Sequence, residues 1–205
     1  MYQPTHFQQT DPEQLTALMQ AHPLATLVRV QDGVLTADHV PMIYEPDTGA
    51  GTLRGHIARA NPLWRHGGPV MAVFQGVQAY VSPSWYPSKA ATHKVVPTWN
   101  YQVVHAHGTL RAVEDRDWLH ALVSRLTGRH EGGRTVPWGV DDAPADFVEQ
   151  LLRAIVGIEI SVMRLEGKWK LSQNRSAEDR AGTADGLAAE PDADARAMAG
   201  LIRPA

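Results

Sequence analysis

A mainly β fold with peripheral helices is predicted by three features of this 205-residue sequence. Runs rich in β-branched and apolar residues recur between residues 24 and 113, and again between residues 158 and 172. The pair Asp32-Gly33 separates two of these runs, and such a pair is typical of a tight β-hairpin turn. Helical spacing of apolar residues interrupts the strands at only a few places. A β barrel or a strongly bent sheet with helices around it fits this pattern.

The individual strands follow from these runs. The predicted strands cover residues 24–30, 34–40, 42–44, 52–57, 70–74, 79–81, 99–113, 158–165 and 169–172. The last two form a predicted pair, joined by a turn at Glu166-Gly167-Lys168.

Helices are predicted where a capping residue or a proline precedes apolar residues at helical spacing. Pro12 lies in the first turn of the first helix, whose apolar face is formed by Leu15, Leu18 and Met19. Asn61-Pro62 begins a short helix in the same way. The remaining predicted helices cover residues 114–128, 143–156, 176–187 and 193–202.

The length favours one compact domain, which we assign to residues 1–180. Residues 181–205 form an alanine-rich helical tail with few bulky side chains. Such a tail is either loosely packed or an arm that docks on a partner subunit.

Composition excludes several classes of protein. The absence of cysteine excludes disulfides, thiolate metal sites and a cysteine nucleophile. A net charge of −3 argues against a non-specific nucleic-acid binder, which usually has a basic surface. The sequence has no apolar run near the ~20 residues of a membrane span, and its first residues lack the pattern of a signal peptide. We therefore expect a cytoplasmic protein.

Residues 54–62 have the features of an anion site. This segment leaves a predicted strand, passes small residues and opens a helix, so backbone N–H groups can converge on a ligand. His56 and Arg59 lie within it. The small and capping residues of the segment are Gly55, Ala58, Ala60 and Asn61. An ordinary capped turn explains the same residues, so both interpretations stay open.

Two further segments combine aromatic and polar side chains. Residues 79–89 carry two prolines and hydroxyls such as that of Ser84, and a planar ring can lie against Trp85 or Tyr86. Residues 96–101 enter the long strand, where alternate side chains share a face. One face carries Thr98 and Asn100, and the other carries Trp99 and Tyr101. This surface suits a heteroaromatic ligand, while a rigid edge loop and a half-buried strand remain the structural alternatives.

Five separated segments, in order, resemble the PaiB family of FMN-binding negative transcriptional regulators. They are residues 1–7, 55–62, 80–86, 96–101 and 170–175. The resemblance extends to about residue 179. It implies a split β-barrel like that of pyridoxamine-phosphate oxidases and flavin reductases, with FMN at the interface of a homodimer.

The resemblance also implies a set of cofactor contacts. Arg59, His56 and the backbone around Ala58 to Asn61 would hold the phosphate, although a hydroxyl found at this turn in related barrels is replaced by Ala58. Thr36, His39, Thr98 and Asn100 would bond to the ring and ribityl chain, and Trp85, Trp99 and Tyr101 would wall the ring. Lys170 and Gln173, from the partner chain, would lie near the N1–O2 side, where a cation stabilises reduced flavin.

Several functions are compatible with these features. The first is an FMN-binding protein that acts as a negative transcriptional regulator or as a flavin-dependent oxidoreductase. The second is a flavin-carrying interaction protein without turnover. The third is a haem- or metal-binding protein that uses His39, His56, His105 or His107. Direct nucleic-acid binding is not expected, because the apolar residues of helix 114–128 are committed to packing.

Overall fold

The computed structural model describes residues 1–46 and 49–203. The strands are β1 (Gln8–Gln9), β2 (Leu24–Gln31), β3 (Val34–Pro41), β4 (Ile43–Glu45), β5 (Thr52–Ala58), β6 (Gly68–Val81), β7 (Thr98–Val113) and β8 (Ile155–Lys170). The α-helices are α1 (Pro12–Ala21), α2 (Ser88–Thr92), α3 (Arg116–Glu131), α4 (Ala145–Arg153), α5 (Ala177–Ala188) and α6 (Ala193–Ile202). Short 3-10 helices cover Thr5–Phe7, Pro62–Arg65, Pro83–Trp85 and Val140–Asp142.

The strands form a sheet in the order β3-β2-β6-β7-β8-β5-β4, with β1 pairing to β8. The register fixes which residues face each other in the outer pairs. Val30 lies opposite Leu35 in the β2–β3 hairpin, and Gly55 lies opposite Ile158 where β5 meets β8. The β2–β3 pairing is antiparallel, as expected for strands joined by a short turn, and the β5–β8 pairing is antiparallel as well.

Contacts divide the chain into two compact units. Unit 1 contains Met1–His22, Phe74–His105 and Glu166–Ala205, and unit 2 contains Pro23–Val73 and Ala106–Leu165. Fully buried side chains form the core of each. Those of unit 1 include Met19, Phe74, Leu187 and Met198, and those of unit 2 include Leu27, Leu53, Leu63 and Ile158.

The β2–β3 hairpin of unit 2 turns at the residues that the sequence indicates. Asp32 has φ 52° and Gly33 has φ 78°, so both lie in the left-handed region that a tight two-residue hairpin turn requires. The prediction of this hairpin is confirmed.

The end of the sheet differs from the prediction. Residues 155–170 form one continuous strand instead of two strands joined at Glu166-Gly167-Lys168. In unit 1, Gly167 pairs with Gln9, and a Cβ at this glycine would overlap Leu15 and lie 2.8 Å from the Gln9 carbonyl oxygen. This glycine therefore permits close packing and does not form a turn.

Two other strands that the sequence predicts separately are also joined in one continuous strand. Residues 70–74 and 79–81 belong to the single strand β6. Gly76, the apparent break between them, lies in unit 1 against Leu18 and Gln102, where an added Cβ would be 3.0 Å from Leu18 Cδ1. This glycine therefore lies inside the strand in close contact with neighbouring side chains.

The alanine-rich tail is part of unit 1, and the expected boundary at residue 180 falls inside α5. Asp179 is 5% exposed and accepts hydrogen bonds from Ser88 N (3.0 Å) and Ser88 Oγ (2.7 Å). Leu187 and Ile202 are fully buried. The described part of the tail, to residue 203, is therefore packed; Pro204 and Ala205 lie outside the described residues.

Candidate functional site

Arg59 lies just beyond β5 in unit 2, and its guanidinium donates to three acceptors. Nη1 bonds to Glu114 Oε2 (2.6 Å), Nε to the Arg153 carbonyl (2.9 Å) and Nη2 to the Ile155 carbonyl (3.1 Å). The guanidinium also lies 5.7 Å from the ring centre of Trp64. The cation predicted to meet a phosphate is thus already partnered within its own chain.

The backbone N–H groups around Arg59 are partly used as well. Arg59 N donates to the Ala154 carbonyl (2.8 Å), and Asn61 N donates to the Ala58 carbonyl (2.9 Å). Asn61 caps the following 3-10 helix, since its Oδ1 accepts from Leu63 N (2.9 Å). The structure therefore shows a capped turn here, the alternative that the sequence left open.

The other residues of this segment face different surroundings. Gly55 is buried where a Cβ would lie 2.6 Å from Met42 Sδ, so close packing with the neighbouring strand requires glycine. Ala58 is exposed at the end of β5. His56 is half-buried, burial lowers the pKa of its imidazole, and Nδ1 is buried without a hydrogen-bond partner in the described structure. A neutral, desolvated imidazole is a poor ligand for a phosphate dianion.

Thr36 and His39 lie on β3 of unit 2. The Thr36 hydroxyl is 3.4 Å from the Arg29 carbonyl, and the exposed His39 lies opposite Thr26. In the described structure neither residue forms a hydrogen bond with residues 55–61; Asn61 instead donates to Asp38 Oδ1 at 2.7 Å.

Unit 1 contains a second polar group of predicted residues. Lys170 Nζ donates to Thr98 Oγ1 and to the Trp99 carbonyl, the latter at 2.7 Å. Asn100 is fully buried and donates to Ser172 Oγ at 3.0 Å, while its Oδ1 has no hydrogen-bond partner in the described structure. The structure therefore brings Lys170, Thr98 and Trp99 together, as a binding site would require.

Two further cations lie near Lys170. Burial lowers the pKa of the Lys170 ammonium, and the positive charges of Lys168 and Arg175 lower it further. Lys168 Nζ donates to the Tyr2 carbonyl (3.0 Å) and lies 5.5 Å from the ring centre of Tyr101. Among the described residues, none of the ion pairs involves these three cations. We call Lys168, Lys170 and Arg175 the cation cluster.

Three aromatic residues of unit 1 line a cavity of about 270 Å³, whose lining also includes Glu190 and Asp192. Its wall includes Tyr80, Trp85 and Trp99, and the Tyr80 and Trp99 rings meet edge to face with centres 6.2 Å apart. Trp85 rests on α5, because an added Cβ at Gly186 would overlap its indole ring. Ser84 is exposed beside it and accepts from Lys89 Nζ at 3.1 Å.

Gln173 has a local role. Its Oε1 accepts from Leu171 N (2.7 Å), and its Nε2 donates to the Trp169 carbonyl (2.6 Å). Both ends of the side chain thus close the turn after β8, and neither is directed to a ligand in this structure.

Lys168 and Arg175, the other two members of the cation cluster, were not singled out from the sequence. Lys168 was placed in a turn, and Arg175 was treated only as part of a family motif. The spacing of the three cations over residues 168–175 was the available signal, since two of them lie at alternate positions of one strand.

The sequence matches the family model described as "Putative FMN-binding domain" over residues 1–164. The chain belongs to this FMN-binding family. It is 33% identical over 205 residues to "Protease synthase and sporulation protein PAI 2" of Bacillus subtilis, covering 98% of this chain and 96% of that protein. The recognition of this family, and of FMN as its cofactor, from five sequence motifs is therefore confirmed.

Two solved structures show the same fold. A FAD and heme binding protein from Mycobacterium smegmatis aligns with a TM-score of 0.61 and 21% identity, covering 84% of this chain and 78% of that one. The flavocytochrome Anf3 from Azotobacter vinelandii aligns with a TM-score of 0.58 and 17% identity, covering 85% and 75%. The prediction of a mainly β split barrel with peripheral helices is confirmed.

Among the described residues, no helix is both long enough and apolar enough to span a membrane.

Proposed function

We propose that this protein is an FMN-dependent oxidoreductase that works as a homodimer. In each site, Arg59 of one protomer holds the phosphate and Lys170 of the second copy lies beside the isoalloxazine ring. The observation that carries the proposal is the cation cluster of unit 1, which lies beside hydroxyl and aromatic groups of β7.

The cation cluster fits an electron-rich ligand. Three like charges disfavour one another, and burial further penalises the charge of Lys170. An anion that approaches Lys170 relieves both costs, so the cluster favours a ligand with negative charge. Reduced flavin carries such a charge at its N1–O2 side, and a nearby cation stabilises it. Thr98, Asn100 and Tyr101 are the neighbouring polar and aromatic candidates, and Trp85 and Trp99 supply aromatic walls.

Arg59 remains the candidate for the phosphate because its present partner is weakly held. Arg59 and Glu114 are 38% and 55% exposed, and an ion pair in such a position contributes about 0.2–1 kcal/mol. A phosphate dianion makes stronger charge-assisted hydrogen bonds with a guanidinium than one exposed carboxylate does. We therefore expect FMN to displace Glu114, while the two carbonyl bonds keep the guanidinium in position. Thr36 and His39 of the same unit are candidates for the ribityl chain.

An apolar face of unit 2 supports a homodimer. Val30, Leu35 and Met163 are 62%, 70% and 67% exposed, and Val30 and Leu35 face each other across the hairpin. All three line an open depression of about 420 Å³, together with Val28 and Met71. Clustered apolar side chains in water mark an interaction surface. A second copy is the occupant proposed, since the flavin site as proposed needs groups from two chains.

A role in redox chemistry is preferred to direct DNA binding. FMN, when bound, would supply hydride-transfer chemistry between a reduced nicotinamide and an electron acceptor. The chain's own groups bind and orient it, and Lys170 favours the reduced, anionic form. The cations of α3 are poorly placed for phosphates of DNA, because Arg116 pairs with Asp117 and Glu149, and Arg125 pairs with Glu45.

The test is a titration of the purified protein with FMN and with riboflavin, followed by flavin absorbance and fluorescence. We expect one flavin per protomer, tighter binding of FMN than of riboflavin, and oxidation of NADH or NADPH when ferricyanide is supplied as acceptor. Lys170→Met should lower the midpoint potential of the bound flavin, while Lys94→Met, which changes an exposed lysine, should not. A protein that binds neither flavin refutes the proposal.

Two additional results separate its parts. Binding of FMN without any turnover leaves a flavin-carrying interaction protein and refutes the oxidoreductase. A monomer at all concentrations, measured by light scattering, refutes the shared site. A Leu35→Asp variant should become monomeric and lose FMN if the apolar face joins the two copies.

A further inference from the structure

Unit 2 contains a second cavity that the proposed flavin site does not use. Its volume is about 350 Å³, and it lies where α3, the segment 138–148 and α4 cover the ends of β5 and β8. The lining residues are His56, Val123, Leu126, Thr127, Trp138, Val140, Ala143, Phe147, Val148, Leu151, Leu152, Ala154 and Ile155. We call this the His56 cavity.

The lining excludes charged ligands. None of the lining residues is an aspartate, glutamate, lysine or arginine. A phosphate or an ammonium group in this cavity would lose its hydration without gaining an opposite charge. An uncharged molecule with a large apolar surface is the chemistry that fits.

The apolar side chains around the opening are unusually exposed. Trp138 and Phe147 are 50% exposed, and Leu151 is 51% exposed. Phe147 and Leu151 lie one turn apart on α4, and Trp138 precedes this helix; all three line the cavity, where a ligand would remove them from water. The volume lies within the range of about 300–1,000 Å³ that is usual for small-molecule sites.

His56 supplies a polar group among these apolar walls. The imidazole makes no hydrogen bond or ion pair with any residue of the described structure, and Nδ1 is buried. Because burial lowers the pKa of this imidazole, the ring is uncharged at neutral pH and offers one donor and one acceptor. A buried polar group without a partner gains when a ligand supplies one.

The floor of the cavity is held by Arg59. Its guanidinium and its backbone N–H bond to the carbonyls of Arg153, Ala154 and Ile155, and the last two of these residues line the cavity. The end of α4 and the start of β8 are therefore fixed to the end of β5. A wall fixed in this way keeps the cavity open in the absence of a ligand, so little reorganisation is needed for binding.

We propose that the His56 cavity binds a small, uncharged aromatic molecule that carries a single hydroxyl or N–H group, with the aromatic part against Trp138, Phe147 and Leu151 and the polar group on His56. This site is distinct in chemistry from a flavin site, because it offers no charge to a phosphate. Its ligand is a candidate substrate or effector of the flavoprotein.

The experiment uses 1-naphthol and naphthalene as a matched pair of probes, with equilibrium dialysis against the full chain. We expect 1-naphthol to bind more tightly than naphthalene by about fivefold, the effect of one additional hydrogen bond of ordinary strength. His56→Phe keeps an aromatic ring at this position but removes both nitrogen atoms, so it should abolish the preference for 1-naphthol. Leu151→Glu should abolish binding of both probes, whereas Leu201→Glu, which changes another exposed leucine on α6, should not.

Four results would overturn the proposal. They are the absence of 1-naphthol binding, binding that Leu151→Glu leaves unchanged, a dimer that Leu151→Glu dissociates, and a haem Soret band that His56→Phe removes. The last two assign the cavity to a second copy or to haem. Flavin binding is measured on the same samples by absorbance, so a failure of this site is distinguished from a failure of the proposed function.

Discussion

Two substitutions at the ion pair between Arg59 and Glu114 distinguish the contribution of Arg59 to stability from its contribution to FMN binding. Arg59→Ala removes an exposed ion pair worth about 0.2–1 kcal/mol and two hydrogen bonds to carbonyls, each worth about 0.5–1.5 kcal/mol. The expected loss of stability is about 2 kcal/mol, which corresponds to a fall in Tm of about 4–8 °C for a chain of this size. Glu114→Gln removes only the ion pair, so its Tm should fall by less than about 4 °C.

The two variants should have opposite effects on FMN affinity. Arg59→Ala loses a charged hydrogen bond to phosphate and should weaken FMN binding by about tenfold to 150-fold. Glu114→Gln removes the carboxylate that competes with the phosphate, so FMN should bind up to about fivefold more tightly. Riboflavin, which lacks the phosphate, should bind all three proteins equally.

The measurement is a fluorescence titration with each flavin, together with thermal unfolding in its absence. The reasoning is refuted if Glu114→Gln leaves the FMN dissociation constant unchanged and Arg59→Ala lowers only the Tm. Arg59 would then be a structural clamp, and the phosphate would bind elsewhere.

Three further predictions concern stability. Asp179→Ala removes a buried acceptor of two hydrogen bonds and should lower the free energy of unfolding by about 3 kcal/mol, measured by chemical denaturation. The control Asp185→Ala, at an exposed position, should change the free energy of unfolding by less than about 0.5 kcal/mol. Equal effects of the two substitutions would contradict the packing of the tail. Gly186→Ala should cost about 1–3 kcal/mol, because its methyl group would overlap Trp85, and an unchanged midpoint would show that the ring can move away. His56 has a pKa below 6.5 in the folded state, so unfolding takes up a proton and stability falls as pH decreases from about 6.5 through the lowered pKa; His56→Leu should remove this part of the pH slope, measured as the denaturation midpoint from pH 7.5 to 5.

The β2–β3 hairpin and the longer helices were predictable because their signals are local, whereas the five-residue helix α2 and the two-residue strand β1 were not predicted. The turn at Asp32-Gly33 and the cap formed by Asn61 each depend on residues within a few positions. The sequence also predicted the two tail helices, observed as Ala177–Ala188 and Ala193–Ile202. Capping, turn conformation and apolar spacing act over short distances, so one sequence suffices to recognise them.

The errors in the sheet come from glycine. Gly167 was predicted to lie in a turn, and Gly76 falls between two predicted strands, but each lies within a single strand. A glycine that permits a turn and a glycine that permits a close contact have the same local sequence signal. The partners that decide between them, Leu18 and Leu15, are distant along the chain.

The candidate site was predicted in part for the same reason. Motif spacing indicated Lys170, Thr98 and Trp99, which the structure brings together. The ion pair between Arg59 and Glu114 could not be predicted, because 55 positions separate the two residues. The apolar surroundings of His56 likewise depend on α4, which follows it by about ninety positions.

The family match ends at residue 164, before the cation cluster and before α5, on which Trp85 rests. A truncated protein that stops at that boundary would keep Arg59 and lose every lysine and arginine of the cluster. It would also expose the indole of Trp85 to water. Flavin binding measured on such a fragment would test Arg59 without the cation cluster. A fragment that binds no flavin would therefore say nothing about the intact polypeptide.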